Sequence, residues 1–217
     1  VVMFGLQAFV KTYLIDYFKE EFFDKKLDEV VEEYDRILGA ALGKEAYKIE
    51  KIVKLHKLGY LPIEIKALLA GTRVPIHVPM FEISNTHSEF AWLPQALESL
   101  ISAEMWHPMI SATVGASYRD IVEKYYDISV EDSISRERAL GDFSFRGQES
   151  LQSAVKSSAG WCLSFYNTAT VPVIPFLEEM YHCDCTKEPV AYGAVSTEHS
   201  VMCSNYAVDG DEITLLR

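Results

Sequence analysis

The chain has 217 residues, 49% apolar and 24% charged, an ordinary globular balance that excludes disorder as its main state. Its net charge of −12 excludes a nucleic-acid backbone as partner, because no basic surface is available to release counterions, while a small anion can still be held by a few placed cations or helix N-termini. No apolar run approaches the ~20 residues of a membrane span, residues 1–14 lack the features of a signal peptide, and the four cysteines show no framework spacing, which points to a reducing, cytoplasmic setting.

Phe4, Ala8, Phe9, Tyr13, Tyr17 and Phe18 recur at helical spacing and predict a helix over residues 1–23. A second helix is predicted over 26–42, with Gly43 as its stop, and a third over 45–58, ending at Gly59. Residues 61–67 alternate like a strand, and 72–78 and 80–85 read as two more, with Pro62 and Pro75 indicating edge positions. Helices are predicted over 92–105 and 109–126, the second opened by His107-Pro108. Trp92, Trp106, Tyr125 and Tyr126 are expected in the core, and the polar stretch 127–136 reads as a linker.

The last third alternates strand and helix: strand 138–143, helix 150–165, strand 168–173, helix 175–181, strand 190–195, then the start of a further helix. That rhythm implies βαβ units on a parallel sheet. The fold class is therefore α/β: an α+β domain over 1–134, followed over 135–217 by the first units of an α/β barrel. These units are too few to close a barrel, so apolar surface on 138–217 is expected to be left uncovered. The chain also begins at Val1 without an initiator Met and stops shortly after Asp209-Gly210-Asp211-Glu212, a helix-start signal, which predicts that the native protein continues.

Parallel α/β folds bind ligands at the C-terminal ends of their strands. Three such ends carry chemistry here: residues 141–147, residues 167–170, and Ser196-Thr197-Glu198-His199-Ser200. Asp142, Phe143, Arg146, Ala169 and His199 are expected to share one rim. Each has a structural alternative: one of the alternating Phe143 and Phe145 belongs in the core, Arg146 can pair with Asp142 or Glu149, and His199 can be a structural histidine. His182-Cys183-Asp184-Cys185 lacks the paired-knuckle spacing of a zinc site, so no metal site is expected there. Phosphate-loop, dinucleotide-loop and nucleophile-elbow motifs are absent from the sequence.

Gly141-Asp142-Phe143, Arg146-Gly147 and the downstream Thr197-Glu198-His199-Ser200 resemble the nicotinamide/nicotinate phosphoribosyltransferase family. Gly5-Leu6-Gln7 and residues 61–67 resemble that family's N-terminal domain, so nearly the whole chain is covered, as about the first half of a family member. The resemblance implies transfer of phosphoribosyl from phosphoribosyl pyrophosphate to the ring nitrogen of a pyridine base, with release of pyrophosphate. It further implies that no cofactor is tightly bound, that Mg2+ and ATP would serve the full enzyme, that the full enzyme would be a homodimer, and that the fragment alone would be inactive. Phe143 would stack on the base, and Arg146 would reach its substituent or the nucleotide phosphate. Asp142 would help shape the pocket, and Thr168, Thr170 or a water could donate to a carboxylate on the base. His199 would accept a phosphoryl group from ATP, oriented by Glu198. Members that use nicotinamide place an Asp where this chain has Ala169, which leaves base preference open and admits nicotinate. Two alternatives stand beside this reading: another barrel phosphoribosyltransferase, such as one acting on quinolinate, against which the lack of an Arg cluster counts, and a non-catalytic relative that binds ligand.

Overall fold

The computed structural model describes residues 1–130, 135–193 and 196–216. Residues 131–134, which end at the expected domain boundary and lie in the expected linker, and residues 194–195 of the expected third strand fall outside the described residues. Among the described residues the protein is a mixed α/β structure with two small sheets.

Residues 1–4 are extended, and Val2 bridges to Arg73. Gly5 turns the chain with a left-handed φ of 94° and opens α1 (Leu6–Phe9), which continues as π-helical turns over Val10–Tyr17 and Lys19–Phe23. An added Cβ at Gly5 would lie 2.9 Å from Pro108 Cγ, so both its conformation and its neighbour require glycine. Two amphipathic helices follow, α2 (Leu27–Leu42) and α3 (Glu50–Leu58). The expected third helix is shorter than its pattern because residues 43–49 form a turn, in which the Tyr47 hydroxyl donates to the Asp35 backbone carbonyl at 2.9 Å. β1 (Ile63–Ala67) pairs antiparallel with β2 (Phe81–Asn85). The strand expected over 72–78 reduces to the Arg73 bridge, because Pro75 and the left-handed His77 interrupt the ladder.

α4 (Leu93–Ser129) is one continuous helix where the sequence predicts two. Pro108 lies inside it and is buried, so the lost backbone donor is tolerated by packing rather than used as a start. Trp106 and Tyr125 are half exposed, along a stripe that runs on to Ile128; the expectation that they fill the core does not hold. The helix instead buries Leu97, Ile101, Met105, Ala112 and Ala116.

The expected strands of the last third are far shorter in the structure. β3 (Gly141–Asp142) pairs in parallel with β4 (Asn167–Thr168), and Asn167 bridges in parallel to Tyr192. Residues 169–172 turn away, and α6 (Val173–Tyr181) starts earlier than predicted. Between the strands runs α5 (Leu151–Trp161), capped by the Ser150 hydroxyl, which accepts the Ser153 N–H at 3.1 Å. α7 (His199–Leu216) begins ten residues before the predicted start signal at Asp209 and breaks at Gly210, where φ is 74°. Val208 and Leu215 on α7, with Phe143 and Val171, are exposed apolar side chains of this segment.

Two buried clusters hold the first part: Phe22, Val30, Ile52, Leu55, Phe90 and Leu93, and beside them Met3, Phe9, Leu14, Leu97, Ile101 and Met105. A third joins the two parts, with Val2, Phe4, Ala112 and Ala116 packed against Ala159, Val173, Leu177 and Val190. Each large apolar side chain so buried contributes about 1.5–3 kcal/mol. α4 and α5 approach each other closely. A Cβ at Gly160 would sit 2.4 Å from the Pro108 carbonyl oxygen and 2.9 Å from the Ala112 nitrogen. Among the described residues, no helix is long and apolar enough to cross a membrane.

Gly160→Ala is expected to destabilise the protein by about 3 kcal/mol, the upper end of overpacking costs, since backbone rather than a flexible side chain must yield. Gly147→Ala, whose methyl group meets nothing, should stay within about 0.5 kcal/mol of wild type. Urea unfolding midpoints of the two variants give the comparison.

Candidate functional site

The parallel register places the ends of β3, β4 and the Tyr192 segment side by side, so Phe143 and Ala169 leave the sheet at the same end. A cleft of about 560 Å3 opens there, lined by Phe143, Phe145, Arg146, Gln148, Ser150, Leu151 and Ala169. Phe143 is 60% exposed and Phe145 38%, so neither is the core residue that alternation predicts. The short 3-10 turn Phe145–Gly147 bends the chain at once after β3 and leaves both rings on the surface. Arg146 is exposed, and no ion pair to Asp142 or Glu149 forms.

Asp142 lies beneath this wall, 8% exposed, and each of its carboxylate oxygens accepts a hydrogen bond. It accepts the Ser144 N–H at 2.9 Å and the Thr168 hydroxyl at 3.1 Å. Thr168 Oγ1 in turn receives the Thr170 N–H at 2.9 Å and meets the Ser158 hydroxyl at 2.9 Å. A hydroxyl has one proton and two acceptor sites. With its proton given to Asp142, Thr168 accepts from both Thr170 and Ser158, and all its capacity is used. Thr168 and Thr170 are buried and do not line the cleft; donation from either to a ligand, expected from the sequence, has no geometry to support it.

His199 opens α7, with its side chain 88% exposed, and is not part of the cleft wall. Its Nδ1 lies 3.6 Å from Glu198 Oε1, too long for a hydrogen bond. The other carboxylate oxygen of Glu198 accepts the Ser200 hydroxyl, and the Ser200 N–H at 2.7 Å. Those two bonds hold the Glu198 carboxyl down at about 2. Among the sequence candidates, Phe143, Arg146 and Ala169 therefore share the cleft, Asp142 and Thr168 support it, and Glu198 and His199 stand apart from its wall. Gln148, Ser150 and Leu151 were missed, although the Ser150 cap signal ahead of an apolar run marks the helix whose first turn faces the cleft.

Burial pushes the Cys162 thiol up to about 12 and raises Cys183 as well, while a hydrogen bond to Glu178 raises Cys185. Asp184 is committed to Thr186 and Lys187. Among the described residues, no group of three potential ligands comes together. A larger concavity lies elsewhere: a groove of about 1180 Å3 between the N-terminal helical turns and β1, walled by Leu6, Val10, Leu14, Ile63 and Leu69. Its cations are committed, Lys11 to Asp16 and Glu179 and Lys19 to Asp24, whereas the smaller cleft combines exposed rings with the Arg146 guanidinium, which forms no ion pair among the described residues, a pairing that suits flat anionic ligands.

No family model matches the chain. It is 37% identical over 206 residues to a nicotinamide phosphoribosyltransferase of Acinetobacter baylyi, covering 94% of this chain and 40% of that protein. Over 148 residues it is 32% identical to one of Xanthomonas campestris, covering 67% of this chain and 30% of that protein. Over 154 residues it is 25% identical to one of Mycoplasma genitalium, covering 70% of this chain and 31% of that protein. The chain thus spans well under half the length of these curated relatives, and the family resemblance carried by residues 141–147 and 197–200 extends along nearly all of it.

Because the folded pKa of Glu198 lies below its ordinary value of 4.5, whatever stability it lends the start of α7 is present above that pH and is lost as pH falls towards 2. In an NMR titration the Glu198 side-chain carboxyl carbon should show a midpoint near 2 in wild type and move upward in Ser200→Ala. An ordinary midpoint in wild type would mean that the Glu198–Ser200 turn is not formed.

Proposed function

We propose that this chain supplies the base-binding part of a pyridine-base phosphoribosyltransferase of NAD salvage, which joins nicotinate or nicotinamide to phosphoribosyl pyrophosphate and releases pyrophosphate. The observation that carries this reading is the cleft itself: exposed Phe143 and Arg146, the latter without an ion pair among the described residues, both lining it at the ends of parallel strands, in a chain similar along nearly its whole length to a nicotinamide phosphoribosyltransferase.

In this reading Phe143 offers its face to the pyridine ring, and Arg146 pairs with the ring substituent or the nucleotide phosphate. Asp142 and Thr168 do not touch the base; they lock β3 and β4 together so that Phe143 and Ala169 keep a fixed separation. The pyridine nitrogen attacks C1 of the ribose as pyrophosphate leaves. The ribose carbon becomes cation-like on the way, so positioning and charge stabilisation matter more than a strong nucleophile. His199, exposed and reachable, is the acceptor of a phosphoryl group from ATP, and Glu198 is its neighbour in that step. Mg2+, when bound, would offset the charge of the phosphates. The working protein is a cytoplasmic homodimer with an α+β domain ahead of an α/β barrel.

Ala169 governs base choice. Its methyl group cannot accept from the carboxamide NH2 of nicotinamide and does not repel the carboxylate of nicotinate. A lost amide acceptor costs about 0.5–1.5 kcal/mol net, roughly a few-fold to tenfold in discrimination. The full-length protein is therefore expected to use nicotinate at least as well as nicotinamide, and Ala169→Asp should shift kcat/KM towards nicotinamide. A strong wild-type preference for nicotinamide that Ala169→Asp leaves unchanged would remove this position from base reading. Absence of transfer to either base would favour a ligand-binding relative without turnover.

A further inference from the structure

Resting on that reading, we infer that Gln148 reads the substituent of the pyridine base, and that His107 and Ser153 fix which end of its carboxamide faces the cleft. Gln148 is half-buried on the cleft wall between Arg146 and Ser150. Behind it lies Ser153, 8% exposed on the first turn of α5. The Ser153 hydroxyl donates to Gln148 Oε1 at 3.4 Å and stands 3.1 Å from His107 Nδ1 on α4.

With the Ser153 hydroxyl donating to Gln148 Oε1, proton counting sets the direction of the remaining bond. Ser153 has one hydroxyl proton. Given to Gln148 Oε1, it leaves Ser153 to accept at its oxygen, and the donor within reach is His107 carrying its proton on Nδ1. The relay therefore runs His107 to Ser153 to Gln148. It turns the amide oxygen inward and presents the amide NH2 to the cleft. The Trp106 ring stacks on the His107 imidazole with centroids 5.1 Å apart, which restrains the imidazole plane.

The consequence is a wall with one kind of hydrogen-bonding character. Arg146 and the Gln148 NH2 both donate, the Ala169 methyl is neutral, and among the described residues no carboxylate lines the cleft. An acceptor-only substituent, the carboxylate of nicotinate, satisfies both donors. A carboxamide places its own NH2 against one of them. Gln148 is thus a specificity-determining residue, and Ser153 and His107 are positioning residues that act through it.

The test measures kcat/KM and, by calorimetry, dissociation constants for nicotinate and nicotinamide on full-length wild type, Gln148→Glu, Ser153→Ala and Ser153→Thr. Gln148→Glu replaces the donor with an anionic acceptor and should lower the nicotinate-to-nicotinamide ratio at least tenfold. Ser153→Ala should raise KM for nicotinate several-fold more than it lowers kcat, with nicotinamide little affected, and Ser153→Thr should restore it by keeping the hydroxyl. Ratios within twofold of wild type for Gln148→Glu overturn the inference. Should wild type transfer to neither base, the transfer reading fails by itself and the two dissociation constants still decide whether Gln148 discriminates. Binding of neither base overturns both.

Discussion

The Thr168 hydroxyl is the constraint on which the site depends. It is buried, donates to Asp142 and accepts from Thr170 and Ser158. With that one oxygen the end of β3, the end of β4 and the middle of α5 are tied to one point. A buried polar network is stabilising when every member is satisfied and costly when one is not. Here Thr168 has no capacity to spare, so any shift of one strand end against the other leaves a buried donor or acceptor unpaired. Two strands of two residues each could not hold that register by ladder bonds alone.

The support behind this node is packing at close range. Gly160 lets α5 lie against the backbone of α4 at Pro108 and Ala112, and Gly5 lets the N-terminal turn reach the other side of Pro108. The same stretch of α4 carries His107, which meets Ser153 at the head of α5. Cleft geometry is thereby coupled to the first hundred residues, although none of them lines the cleft. Val2, Phe4, Ala112 and Ala116 share a core with Ala159, Val173, Leu177 and Val190, so the two expected domains are packed through common apolar side chains.

What could be read in the sequence followed from local chemistry. Amphipathic spacing located α2 and α3, the alternation of residues 61–67 located β1, and strand-end composition picked out Phe143, Arg146 and Ala169, which line the cleft together. What could not be read was set by tertiary contact. Pro108 looks like a helix start because its broken backbone bond is visible in sequence while the glycines that embrace it lie 103 and 52 positions away. The short β3 and β4 look longer because apolar neighbours such as Leu140 and Val171 continue the strand pattern beyond the turns. Gln148 carried no signal, since its role depends on Ser153 and on a histidine 41 residues upstream.

The account makes the small cleft, rather than the larger apolar groove beside β1, the seat of the ligand. Each concavity carries an alanine methyl, Ala169 in the cleft and Ala70 in the groove, which lets one experiment choose between them. In protein labelled at alanine methyl groups and titrated with nicotinate, the Ala169 signal should shift saturably while that of Ala70 stays in place. Movement of Ala70 with Ala169 unmoved would contradict the assignment of the site.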